Sequence, residues 1–177
     1  MPTISGSIGG FVNRIDAPNA FAVSFSFGEM SPLNQNIVVR LSLTLTVRTS
    51  QRYQLRLLMT PPTITDPNAV QLSDVGIGIQ NLRLLGPGTC AGAIQPPWNN
   101  DPALAMTINP ATGRATYPTT LATVASTSPI VIRGPALPAQ GASFDIIMAA
   151  APQFYTPGNM SFTFRVALQR GSAFTCP

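Results

Sequence analysis

The chain of 177 residues contains no lysine and no histidine, and its only side-chain carboxylates are Asp16, Glu29, Asp66, Asp74, Asp101 and Asp145. Without an imidazole there is no Ser-His-Asp relay. Without an amine there is no Schiff base, no lysine-gripped phosphate loop and no lysine to asparagine crosslink. Zinc sites draw mainly on Cys and His, and only Cys90 and Cys176 are present, far apart in the sequence. This inventory argues against an enzyme and calls for no metal or other cofactor.

Charge is scarce as well. Charged residues make up 9% of the chain, against about 25% in a typical soluble domain. So weakly solvated an exterior is expected to be covered largely by other subunits. The net charge of +4 comes wholly from arginine, and the arginines are scattered, which gives no footprint for nucleic acid. The densest group, Arg40, Arg48, Arg52 and Arg56, falls at even positions in strand-like runs. It is expected to share one polar sheet face rather than to form a phosphate patch. No apolar run of about 18 residues is present to cross a membrane as a helix, and no internal repeat is found. Residues Met1 to Gly6 lack the basic and apolar regions of a signal peptide, so the chain is numbered after processing or is not exported.

What is abundant is small, apolar and turn-forming: 45% of residues are hydrophobic, with 18 Pro and 14 Gly. The dominant period is two. Phe21, Val23, Phe25 and Phe27 alternate with small residues. Ile37, Val39, Leu41, Leu43, Leu45 and Val47 alternate with Val38, Arg40, Ser42, Thr44, Thr46 and Arg48. Tyr53, Leu55 and Leu57 continue the pattern, Val75, Ile77 and Ile79 repeat it, and Phe162, Phe164, Val166 and Leu168 close it. Each run reads as a half-buried strand, and no stretch has convincing helical periodicity. Turn-rich passages at Thr60 to Asn68, Gly86 to Pro102 and Gly134 to Gly141 separate the runs. An all-β, antiparallel β-sandwich in one domain accounts for this pattern.

The cysteines either pair or remain two unrelated thiols. Paired, they close most of the C-terminal half into a loop, worth about 4–5 kcal/mol by the chain-entropy argument, and imply an oxidising compartment.

The first residues form a strand without an obvious home. Ile4, Gly6, Ile8, Gly10 and Val12 fall on one face, with Ser5, Ser7, Gly9 and Phe11 on the other. Glycine weakens a strand interior and often marks close approach of another backbone. Such a segment suits a groove of another molecule, supplying main-chain hydrogen bonds while Ile4, Ile8 and Val12 fill pockets. An edge strand or a disordered tail is the plainer alternative. Asn13 to Asn19 reads as a short linker or turn.

Two passages bear on that choice. Leu43 to Leu57, in which an alternating strand passes through a polar turn into Tyr53-Gln54-Leu55-Arg56-Leu57, resembles the archaic chaperone-usher pilins of the spore-coat-U-like family. Tyr155-Thr156-Pro157-Gly158-Asn159-Met160-Ser161-Phe162-Thr163-Phe164-Arg165-Val166 is similar to that family's late Gly-containing alternation. With the N-terminal segment these cover about a third of the chain. The resemblance implies an incomplete immunoglobulin-like sandwich, residues 20–177, completed by a donor strand within residues 1–19 of the next subunit. The donor residues would be Ile4, Gly6, Ile8, Gly10 and Val12. It further implies a homopolymer at the cell surface, assembled with a periplasmic chaperone and an outer-membrane usher. Arg48 stands where the family commonly has a cysteine and Met160 where it has an aromatic, so Cys90 and Cys176 are not the family's usual bridge. The tail from Gly171 to Pro177 runs past the expected last strand, which would let Cys176 reach the loop holding Cys90.

The remaining constellations have plainer readings. Gly76-Ile77-Gly78 and Gly86-Pro87-Gly88 open no helix and read as packing or turn glycines. Asp66, Asp74 and Asp101 are read as turn residues rather than as a calcium site or a glycosidase pair. Trp98, in a Pro-rich loop, is a candidate surface contact for a sugar or an interface, with packing over the sandwich end at least as good a reading. Asn159-Met160-Ser161 matches the N-glycosylation sequon. The reading that accounts for most of these features is a structural subunit of an extracellular filament polymerising by donor-strand exchange. A virion capsid or decoration protein with a similar sandwich, reaching across a subunit boundary with its N-terminal arm, is the alternative. A secreted carbohydrate-binding module using Trp98 ranks below both.

Overall fold

A computed structural model describes the backbone of residues 3–14, 17–29, 37–45, 51–137, 141–151, 153 and 155–177. Side chains are described from residue 51 onward within those ranges, Phe164 excepted. In chain order the elements are β1 (Thr3–Arg14), β2 (Ala17–Glu29), β3 (Ile37–Leu45), β4 (Tyr53–Thr60), a 3-10 turn (Leu72–Asp74), β5 (Val75–Leu85), β6 (Ala93–Ile94), α1 (Pro102–Ala105), β7 (Thr107–Ile108), β8 (Ala115–Thr116), α2 (Leu121–Thr127), β9 (Ile130–Gly134), β10 (Gly141–Ala150) and β11 (Asn159–Arg170).

These strands make the all-β fold that the period-two pattern predicts. One sheet has the order β2-β1-β11-β4-β9-β6 and the other β3-β10-β5, with a small β7-β8 ribbon outside them. Tyr53, Leu55 and Leu57 of β4, Ile132 of β9, and Met160, Phe162, Val166 and Leu168 of β11 meet Ile77 and Ile79 of β5 and Phe144, Ile146 and Met148 of β10 in one buried core. Burying such side chains contributes about 1.5–3 kcal/mol each and fixes the register of every strand that supplies them.

The small sheet is covered on both faces, which explains its least predictable strand. All ten residues of β10 are buried. Asn100, Pro102 and Tyr117 lie over the outer face of β5, where a Cβ on Gly78 would stand 2.0 Å from the Asn100 carbonyl oxygen and one on Gly76 would stand 2.4 Å from the Tyr117 ring. These two glycines are therefore packing glycines, admitting the long connection from β5 to β9. The same connection closes the free edge of β5: Ile79 N donates to Trp98 O at 2.8 Å and Ile77 N to Thr119 O at 3.0 Å. A closed edge offers no template for another chain.

Several expectations need correction. Trp98 is 4% exposed and belongs to the core, so its indole packs inside the domain and presents no surface contact. Arg40 lies on β3 and Arg56 on β4, in different sheets, so the arginine group shares no single face; Arg48 lies outside the described residues. Asn13 and Arg14 extend β1 and Ala17 to Asn19 begin β2, so strand takes up most of the expected linker; its residues 15–16 lie outside the described residues. A helix forms at Leu121–Thr127 despite the missing periodicity. Thr120 caps its N-terminus, accepting from Thr123 N, and Ser128 ends it in a left-handed conformation at φ 45°. With only two buried residues, Leu121 and Val124, its apolar stripe is too short to register as a period.

Candidate assembly interface

The element that carries the donor-strand candidates is β1. It lies between β2, to which it is antiparallel, and β11, to which it is parallel, so the first and last strands of the chain are neighbours. The parallel register runs from Thr3 beside Asn159 to Phe11 beside Ala167. It sets Ile4, Gly6, Ile8 and Gly10 beside Met160, Phe162, Phe164 and Val166. Of those four partners, Met160, Phe162 and Val166 are buried, while Asn159, Ser161, Thr163 and Arg165 alternate with them on the exposed face. The donor-strand candidates other than Val12 thus fall in register with the core-facing row of β11. Val12 lies past the end of that ladder and registers with Asn19 of β2.

Among the described strands, β2 pairs only with β1, and β1 reaches the rest of its sheet only through β11. β1 and β2 therefore form an antiparallel pair joined to the rest of its sheet by one ladder. Taking it away leaves β4, β9, β6 and all of the small sheet paired as before. It also leaves β11 as a bare edge whose core-facing row borders an open slot. Unpaired main-chain groups beside buried apolar side chains are costly, and here the chain's own β1 pairs them.

The opposite end of β11 is held covalently. Cys90 and Cys176 form a disulfide with a Cα–Cα distance of 6.0 Å, which resolves the choice between a bridge and two thiols. The bond joins the tail after β11 to the loop after β5. Beside it the buried Tyr53 hydroxyl donates to the Ala91 carbonyl oxygen, and burial raises its pKa above the ordinary tyrosine value. Arg133 Nη1 donates to Ser172 Oγ at 3.1 Å, fixing the tail a second time.

The carboxylates do not converge. Asp66 accepts from Asn68 N at 2.8 Å and from the Thr156 hydroxyl, and these two bonds, Thr156 first, hold its pKa below the usual carboxylate value. Asp101 caps α1 by accepting from Ala103 N. Asp74 is buried, accepts from Gln71 N at 2.8 Å and sits 3.5 Å from Arg114 Nη2. Burial outweighs both partners and raises its pKa. The same environment pushes Tyr117 up to about 12, chiefly by burial. Among the described residues no three His, Cys, Asp or Glu side chains gather as a metal site, and no helix is long and apolar enough to cross a membrane. Asn159 of the sequon is exposed at the start of β11.

Sequence reasoning singled out β1 and the cysteines but not the pairing of β1 with β11, because a parallel ladder between the two ends of a chain leaves no local signal. Comparison with protein-family models finds no match to this chain, and comparison with curated protein sequences finds none either.

Proposed function

We propose that this chain is a structural subunit of a homopolymeric filament in which the N-terminal strand of one copy fills the slot beside β11 of the next. The observation that carries the reading is the single-ladder attachment of the β1–β2 pair, which would carry β1 into the next copy with β2 still beside it. An element joined to its domain by one ladder exchanges between copies at little cost, since the contacts broken within one chain are remade between two. Alternation of Ile4 and Ile8 with Gly6 and Gly10 suits a strand that must seat in a slot of fixed width. The near absence of charge suits a surface shared with neighbours, and the disulfide suits an oxidising, extracellular setting reached with a chaperone and an usher.

Deleting residues 1–12 tests the reading. Filaments seen by electron microscopy with the intact chain should disappear with the truncated one. If the truncated chain still forms filaments that survive warm detergent, strand exchange is wrong. Closed shells in place of filaments would transfer the same N-terminal arm to a virion protein.

A further inference from the structure

At the disulfide end of the sandwich, opposite in character to the β1 slot, lies an open groove of about 540 Å³ lined by Arg52, Arg170, Phe174, Pro135 and Gly171, among others. Its two cations are brought together by the main chain. Arg170 is the last residue of β11 and registers with Tyr53, the first of β4, so Arg52 and Arg170 flank one strand-pair end. Gly171 N donates to Arg52 O at 2.8 Å, and a Cβ on Gly171 would stand 2.6 Å from Tyr53 O, so the backbones meet as closely as glycine allows. Both arginines are exposed.

Among the described residues no carboxylate lines the groove. The four described aspartates are engaged elsewhere, Asp66 by Thr156 and Asn68, Asp74 by Gln71 and Arg114, Asp101 at the cap of α1 and Asp145 by Asn81. Arg52 and Arg170 both line the groove, so an anion seated in it has two cationic partners. Phe174 supplies an apolar wall, and it is held in place from both sides, by the Arg133 to Ser172 hydrogen bond and by the Cys90 to Cys176 bridge. Guanidinium groups recognise planar or tetrahedral oxyanions through paired N–H donors, an aromatic face takes a ring, and the groove has the size of a small-ligand site.

We propose that this groove binds an oxyanion carried on a ring-sized body, the chemistry of an acidic sugar unit bearing a carboxylate or a sulfate ester. The site is independent of the strand-exchange reading, since none of its residues belongs to β1 or to the register that β1 makes with β11. In the full-length, oxidised protein, NMR titration with glucuronate and with galactose 6-sulfate should move the side-chain signals of Arg52, Arg170 and Phe174 with millimolar saturation, whereas glucose should not. Arg52→Gln with Arg170→Gln should weaken binding of both charged sugars at least about tenfold. Phe174→Ala should weaken the charged sugars while leaving inorganic sulfate unchanged. Because both arginines are exposed, the double variant keeps its fold, and a thermal unfolding curve checks that. Three results would overturn the proposal: no saturable shift at these residues, charged sugars binding the double variant as tightly as wild type, or inorganic sulfate binding as tightly as either charged sugar.

Discussion

The hydroxyl of Tyr53, on the first residue of β4, donates to the carbonyl oxygen of Ala91, the residue after Cys90. This one bond couples the strand that pairs with β11 to the loop that anchors the disulfide. The Tyr53 ring also lies where a Cβ on Gly134 would fall, 2.2 Å away, so its position is fixed by packing. Tyr53→Phe keeps the ring and strands the buried carbonyl. A loss of about 1–3 kcal/mol is expected, which for a chain of this length lowers the melting temperature by about 2–4 °C per kcal/mol. Calorimetry of the two proteins measures it.

Removing the bridge should cost more. Cys90→Ser with Cys176→Ser frees a loop with a sequence separation of 86, and stability should fall by about 2–5 kcal/mol. Urea unfolding with and without reductant checks this: the wild type should be sensitive to reductant and the double variant indifferent.

Two aspartates should push stability in opposite directions with pH. Asp74 has a folded pKa raised by burial above 3.8. Its contribution is fully present below the unfolded value and is lost as pH rises through the folded one. Asp66 has a folded pKa lowered below 3.8. It stabilises above the unfolded value and that contribution fades as pH falls through the folded one. Asp74→Asn should therefore flatten the decline in stability above pH 3.8, while Thr156→Val should reduce the acid sensitivity that Asp66 confers. Unfolding curves from pH 2 to 8 separate the two, and a decline unchanged by Asp74→Asn would exclude the buried carboxylate as its source.

Strand exchange has a covalent readout. Ser7 and Thr163 are the midpoint pair of the β1–β11 ladder, so they stay adjacent whichever way a donated strand runs. Ser7→Cys with Thr163→Cys, oxidised after assembly, should give a ladder of covalent oligomers on a denaturing gel. A band at monomer mass alone means the strand closes onto its own sheet.

How far the fold could be read in advance depended on whether one face of a strand stayed wet. β4 and β11 alternate because each has a core face and an outer face, and both are plain in the sequence. Gly141–Ala150 escaped notice because all ten of its residues are buried. Coverage of the small sheet by Asn100, Pro102 and Tyr117 erases the alternation that would have marked it. Trp98 left two readings open for a related reason: its neighbours Pro96, Pro97 and Asn99 are exposed, and composition cannot show that one ring in a polar loop turns inward, as the packing reading required. Spacing allowed the cysteine pair but could not decide it. The β1 slot depends on contacts between the two ends of the chain, which no local pattern encodes.

The bridge between Cys90 and Cys176 also sets how the molecule answers to tension. A chain of 177 residues pulled from its two ends would extend by about 600 Å if nothing crossed it. With the bond in place only the residues up to Cys90, and Pro177 beyond Cys176, can straighten. The reach is then about 300 Å. Everything from Cys90 to Cys176, including β9, β10 and β11, lies outside the line of force and keeps its length until a covalent bond gives way.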